Sequence, residues 1–267
     1  MAAAITDRDG PRRNRPSVAA GLRLAVATLT IAPVRPGRVD RATAALAMSL
    51  APLAGLGLGA AAAAVGLGLR AAGASALLAA VATVATTAAL TRGLHLDGLA
   101  DTADGLGSYA DRGRALEIMR APDIGPFGVV TLVLALLAQV AATAVLLARP
   151  WASAAAGVVV AVTGGRVAIT LACRRGIPAA RPDGLGALVA GTVPAPVGLL
   201  WVAVVVAGSV PVVADRPWQG PGAVLLGLLA AQGLTIHARR RLGGITGDVL
   251  GALTEITVTA ILIVTSL

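Results

Sequence analysis

Seven apolar stretches, each close to the length a helix needs to cross a bilayer, constrain this chain more than any other feature. They cover residues 43–69, 71–91, 125–148, 152–172, 196–214, 221–237 and 248–267. About 20 helical residues span the ~30 Å hydrocarbon layer, and there the backbone must satisfy its polar groups internally. The expectation is an all-α, polytopic membrane helix bundle of about seven transmembrane helices. An eighth stretch, 18–31, is short and interrupted by Arg23, so it reads as an interfacial helix. Residues 1–17 are polar, carry four arginines and read as a disordered tail, which leaves 18–267 as one transmembrane domain.

Composition agrees. A chain that is 57% hydrophobic and 13% charged, with a mean hydropathy of +0.84, has too little polar surface to cover a soluble domain. Its formal charge of +9 would suggest nucleic acid in a soluble protein, but topology explains it better, and no nucleic-acid partner is expected. All 22 basic residues are arginines. With the N-terminus inside, 18 fall on one face, Arg70, Arg149 and Arg216 on the other, and Arg166 within a span. The positive-inside rule then makes the 18-arginine face cytoplasmic. Cys173 is the only cysteine, which excludes an intrachain disulfide and a cysteine-based metal site. Aromatic residues are scarce, so packing through small residues such as Gly55, Gly57, Gly59, Gly66 and Gly68 is expected.

The densest chemistry lies between the second and third spans, from Arg92 to Gly105. If this stretch is helical, Asp97, Asp101 and Asp104 stand at i, i+4 and i+7 on one face. Three like charges on one stripe need solvent, protons or a cation, and hard oxygen ligands suit Mg²⁺. Asp97 and Asp104 would be roughly 10 Å apart along the axis, so two ions, or one ion with bridging water, fit better than a single shared ion. Magnesium completes its shell with water and substrate phosphates, and Arg92, Arg112, Arg114 and Arg120 are near in sequence to bind a phosphorylated substrate. The plain alternative is a solvated loop whose acids balance those arginines. His95 alone is weak evidence, since a lone histidine is more often a structural hydrogen-bonder.

A second polar cluster, Gly243-Gly244-Ile245-Thr246-Gly247-Asp248, opens the last span. A glycine-rich turn into a helix start offers backbone N–H groups to an anion, which makes Thr246 a substrate-binding candidate and Asp248 a further metal ligand. Glu255 lies two turns deeper on the same face as Asp248. A carboxylate there is costly, so it is expected to face the protein interior and pair, with Arg166 the candidate partner. Both Arg166 and Glu255 are candidates for substrate binding, with a structural ion pair as the alternative.

In this order the residues resemble the cobalamin synthase family (adenosylcobinamide-GDP ribazoletransferase). The matching stretches are GLHLDGLADTADG at 93–105, LEIMR at 116–120, Ile124-Gly125 with Phe127-Gly128, and LGGITGDVLGA at 242–252 followed by Glu255. The resemblance implies a Mg²⁺-dependent transfer from adenosylcobinamide-GDP to the 5′-hydroxyl of α-ribazole, or of its 5′-phosphate, with release of GMP. It implies that Asp97, Asp101, Asp104 and His95 act in catalysis, with an aspartate or His95 accepting the hydroxyl proton. It also implies a catalytic domain in a bacterial inner membrane with its site facing the cytoplasm. Arg92 stands where the family often has glycine, and Ala121-Pro122-Asp123 replaces a stretch that often carries a base.

Two other readings are weighed. An enzyme resembling CDP-alcohol phosphotransferases would continue Asp101-Thr102-Ala103-Asp104-Gly105 with Ala and Arg, where this chain has Ser108 and Tyr109. A cation-coupled transporter would place acids near mid-membrane and repeat its halves, whereas these aspartates cluster at one face.

Overall fold

The computed structural model describes residues 16–267, so most of the expected N-terminal tail lies outside the described residues. Of that stretch, Pro16 and Ser17 are described, and Ser17 caps the first helix by accepting from the amide of Ala20 at 3.1 Å. Helix α1 (Val18–Leu29) has 12 residues, about 18 Å at the helical rise and too short to cross a bilayer.

The long helices follow the expected spans closely. They are α2 (Arg41–Ala71), α3 (Ala76–Leu90), α6 (Pro126–Leu147), α7 (Trp151–Ala172), α9 (Ala195–Gly208), α10 (Gln219–Leu242) and α11 (Gly247–Ser266). Between them lie the shorter α4 (Leu94–Gly107), α5 (Arg112–Ile118) and α8 (Gly184–Val189). Among the described residues, six helices are long and apolar enough to cross a membrane. The expected second span is where structure and sequence part. Its helix α3 keeps only 15 residues, and α4 leaves it at 87°. Arg92 (φ +56°) and Gly93 (φ +68°), two consecutive left-handed residues, make that bend. Glycine adopts such a φ freely and arginine does not, so Arg92 stands at a position that a glycine would fill without strain.

Helix α7 is the axis of the bundle, and every residue from 160 to 170 is buried. Small residues let its neighbours approach. A Cβ on Gly59 of α2 would lie 2.9 Å from the Cα of Val159, and one on Gly165 would lie 2.9 Å from the methyl of Thr254 on α11. Gly55 and Gly66 are similarly enclosed, but Gly57 and Gly68 face open space and pack nothing. The expectation of small-residue packing therefore holds for only one face of α2. At the arginine-poor end, the guanidinium of Arg149 donates to the carbonyl of Thr265 at 2.7 Å and Gln219 donates to that of Val264 at 2.7 Å. At the opposite end, α4, α5, α8 and the loop at 173–183 form a cap over the bundle.

Candidate active site

The cap is assembled around one close helix crossing. A Cβ on Gly98 of α4 would lie 2.9 Å from the Cα of Asp248, and one on Gly251 would lie 3.0 Å from the carbonyl oxygen of His95. Glycine at both positions lets α4 rest on the first turn of α11 with backbone nearly touching backbone. This brings Asp97 and Asp101 of α4 toward Asp248. Asp101 is close enough to Asp97 and Asp248 for mutual repulsion.

Beside this crossing is a cavity of about 370 Å³. His95, Asp97, Arg120, Arg181, Asp183, Thr246 and Asp248 supply its polar wall, and Leu29, Met48, Ile169 and Leu250 its apolar one. Arg181 is the pivot. Its guanidinium donates to Asp248 Oδ2 at 3.5 Å and to the carbonyl of Leu116 at 2.8 Å. Burial holds its pKa below the ordinary arginine value, and the nearby Asp248 carboxylate pulls it back up. Arg120 and Asp183 form an exposed ion pair at 2.5 Å on the cavity wall. His95 is only 2% exposed, and among the described residues neither of its ring nitrogens has a hydrogen-bond partner.

The loop that carries Arg181 is held by backbone pairing with the turn before α11. The amide of Ile245 donates to the carbonyl of Pro178 at 3.0 Å, and the amide of Ala180 to that of Ile245 at 2.9 Å. Gly244 lies against the backbone of residues 178–180, where a Cβ would collide. Farther along the turn, the Val249 N–H donates to the Thr246 hydroxyl at 3.1 Å. Thr246 lines the cavity but serves chiefly as the cap of α11, and its hydroxyl donates to Asp248 at 3.2 Å.

Asp104 also departs from expectation. Its two carboxylate oxygens accept from the amides of Gly125 and Gly128 at 2.8 and 2.9 Å. It therefore caps the start of α6 from a neighbouring helix, and a Cβ at either glycine would run into the carboxylate. The ladder is helical and one-sided as expected, but its third rung is a buried structural acceptor. Among the described residues no group of three His, Cys, Asp or Glu side chains is arranged to hold a metal. Of the four aspartates expected to hold a metal, Asp97 and Asp248 line the cavity, Asp101 lies beside them and Asp104 caps α6.

The expected phosphate-binding arginines divide as well. Arg120 reaches the cavity. Arg112 donates to the carbonyl of Ala180 at 3.0 Å and fastens the loop. Arg114 pairs with Glu117 on the exposed face of α5, away from the cavity. Arg92 is exposed and lines two neighbouring cavities. Arg166 and Glu255 line a separate cavity of about 20 Å³ within the bundle. Among the described residues no ion pair joins them. Gln139 of α6 donates to Glu255 at 2.8 Å, and Arg166 donates to the carbonyl of Val162 at 3.2 Å. Sequence reasoning missed Arg181 and Asp183, which appeared only as part of a basic linker, and Gln139, a lone amide in an apolar span.

The arrangement sets carboxylates beside arginines over a partly apolar floor, a combination that can take a hard cation and phosphate oxygens. Residues 21–266 match the cobalamin-5-phosphate synthase family. The chain belongs to that family. It is 43% identical over 259 residues to a protein named adenosylcobinamide-GDP ribazoletransferase from Frankia casuarinae, covering 91% of this chain and 92% of that protein. Proteins of the same name from Nocardioides sp. and Bradyrhizobium diazoefficiens are 42% and 40% identical over 245 and 265 residues. These matches cover 90% and 93% of this chain, and 96% and 94% of theirs. No solved structure matches the chain. Membership over nearly the whole length sets aside the CDP-alcohol phosphotransferase and transporter readings.

Proposed function

We propose that this family member transfers the adenosylcobinamide-phosphate group of adenosylcobinamide-GDP to the 5′-hydroxyl of α-ribazole or α-ribazole 5′-phosphate. The hydroxyl oxygen bonds to the corrinoid-side phosphorus, the bond to the bridging oxygen breaks, and GMP leaves with that oxygen. The observation that carries this reading is the convergence of Asp97, Asp248, Arg181, Arg120 and His95 on one cavity.

Phosphoryl-type transfer needs positioning and charge neutralisation more than covalent chemistry from the protein. Arg181, already half-buried and fixed by the Leu116 carbonyl, is preorganised to hold a phosphate oxygen. Arg120 can turn from its exposed partner Asp183 to a second oxygen. His95, enclosed and with no hydrogen-bond partner among the described residues, offers a neutral ring nitrogen to the attacking hydroxyl and accepts its proton. Asp97 and Asp248 fit magnesium, which takes one or two carboxylates and fills its shell with water and substrate phosphates; three protein carboxylates are not required. Bound there, magnesium would neutralise diphosphate charge and polarise the phosphorus under attack.

The arginine-rich end, which carries this cavity, faces the cytoplasm of a bacterial inner membrane by the positive-inside rule. That is also where nucleotides are available. The test is incubation of purified protein in detergent or vesicles with adenosylcobinamide-GDP, α-ribazole and Mg²⁺. Formation of a cobalamin and GMP in equal amounts is expected, and their absence in folded protein would sink the proposal.

A further inference from the structure

Several arginines at the arginine-rich end are engaged by the chain itself. Arg41, Arg112, Arg181 and Arg241 donate to backbone carbonyls, and Arg114 and Arg120 pair with carboxylates. Arg239 and Arg240, in the last turn of α10, are not. Among the described residues neither side chain makes a hydrogen bond or an ion pair, and both line a cavity of about 410 Å³. Pro178, Ile236 and Gly243 complete its wall, on which no carboxylate stands among the described residues. A Cβ on Gly243 would collide with the guanidinium of Arg112, so a third positive charge backs the same wall. Arg174, fixed by the carbonyl of Leu171 and the side chain of Gln232 at 2.9 Å each, stands near enough to Arg239 for like-charge repulsion. An anion set among such cations relieves their mutual repulsion.

The cavity lies at the end of a membrane span, since α10 is one of the six helices long and apolar enough to cross a bilayer. At 100° per residue, Leu229, Gly233, Ile236 and Arg240 share one face of α10. Leu229 is 67% and Ile236 40% exposed, and a Cβ on Gly233 would meet nothing within 4 Å. That face is an open apolar track leading along the bilayer to the guanidinium of Arg240. A water-soluble anion would use the charges and leave the track idle. A phospholipid uses both, with its phosphate at the arginines and an acyl chain below them.

We propose that the cavity bounded by Pro178, Arg239, Arg240 and Gly243 holds the headgroup of an anionic phospholipid, with one acyl chain along Ile236, Gly233 and Leu229. The headgroup phosphate accepts from the two free guanidiniums. A zwitterionic lipid would bring a further cation to a wall whose charged groups are all cations, so the site selects a net negative headgroup. Pro178 and Gly243 line this cavity, while Arg181 and Ile245 line the active-site cavity, so the paired loop and turn form the partition between the two. The lipid site does not depend on the reaction proposed above.

The full chain in detergent micelles tests it, titrated against dilute fluorescent phosphatidylglycerol or phosphatidylcholine with lipid anisotropy as the signal. Wild type is expected to bind phosphatidylglycerol about tenfold more tightly than phosphatidylcholine. Arg239→Gln with Arg240→Gln should abolish that preference, and its fold is secure because both side chains are exposed and without partners among the described residues. Arg35→Gln with Arg114→Gln removes the same charge from the same end of the bundle and should keep the preference. No preference in wild type, one that survives in the first variant, or one that falls equally in both would overturn the site. Millimolar inorganic phosphate at constant ionic strength should leave the lipid bound; its displacement would assign the cavity to a free phosphate and overturn the lipid.

Discussion

Two clusters in this molecule bring carboxylates and arginine together, and they are built to opposite ends. At the cap, Asp97, Asp248 and Arg181 border a cavity of about 370 Å³ in which His95 has no hydrogen-bond partner among the described residues. Deeper in the bundle, Arg166, Glu255 and Gln139 enclose about 20 Å³, room for about one water. Glu255 is held by Gln139, which also donates to Thr259 at 3.0 Å. Buried charge is tolerable where partners and shape hold it, and chemistry needs groups that are fixed but still free to receive a ligand. The cap cluster meets the second condition and the deep cluster the first.

The largest effect separating them is expected from Asp97→Asn and Asp248→Asn. Each keeps the shape and removes a charge, and should lower turnover by roughly 10²-fold or more with an unchanged melting temperature in detergent. Raised Mg²⁺ should restore part of the loss, and chelation should stop the wild type. Wild-type turnover in both variants would remove the cap as the site. His95→Gln should follow, with turnover down by about 10²-fold, the ordinary range for a lost proton acceptor, and substrate binding by dialysis unchanged.

Asp104→Asn sharpens the contrast inside a single helix. An asparagine presents one acceptor oxygen to two amides, so stability should fall by about 1–3 kcal/mol, the range for leaving a buried donor unsatisfied. A melting temperature equal to that of Asp97→Asn would show that the cap on α6 carries no weight. For the deep cluster, Glu255→Gln keeps a bond to Gln139 and should be mild. Its coupling to Arg166→Gln should stay near the lower end of the 0.5–3 kcal/mol seen for interacting pairs, because no direct ion pair joins them. Strong coupling in thermal melts would restore the direct pairing that sequence suggested. The smallest effect is expected from Arg114→Ala, which breaks only an exposed i,i+3 pair with Glu117 and should change stability by less than about 0.5 kcal/mol and activity not at all.

Much was legible beforehand because the information is local. A run of about 20 apolar residues declares a membrane helix whatever surrounds it. Arginine counts on alternate linkers sort the two ends of the bundle, and a 3.6-residue period puts three aspartates on one stripe. Those readings needed neighbours along the chain only. The length of α3 was the exception, since nothing apolar marks the point where Arg92 and Gly93 turn the chain through 87°.

Tertiary structure decided which members of each pattern do chemistry. Asp97 and Asp104 are the same residue type on the same helix face. One borders the cavity, and the other is held by two amides more than 20 residues away. Arg181 enters the site only because residues 178–180 pair with Ile245, a contact across 65 or more positions. Asp248 meets the ladder because Gly98 and Gly251, each unremarkable in a glycine-rich chain, face one another where α4 crosses α11. A sequence pattern records what each helix can present; which groups remain free depends on what the other helices bring against it, and that is fixed only when they pack.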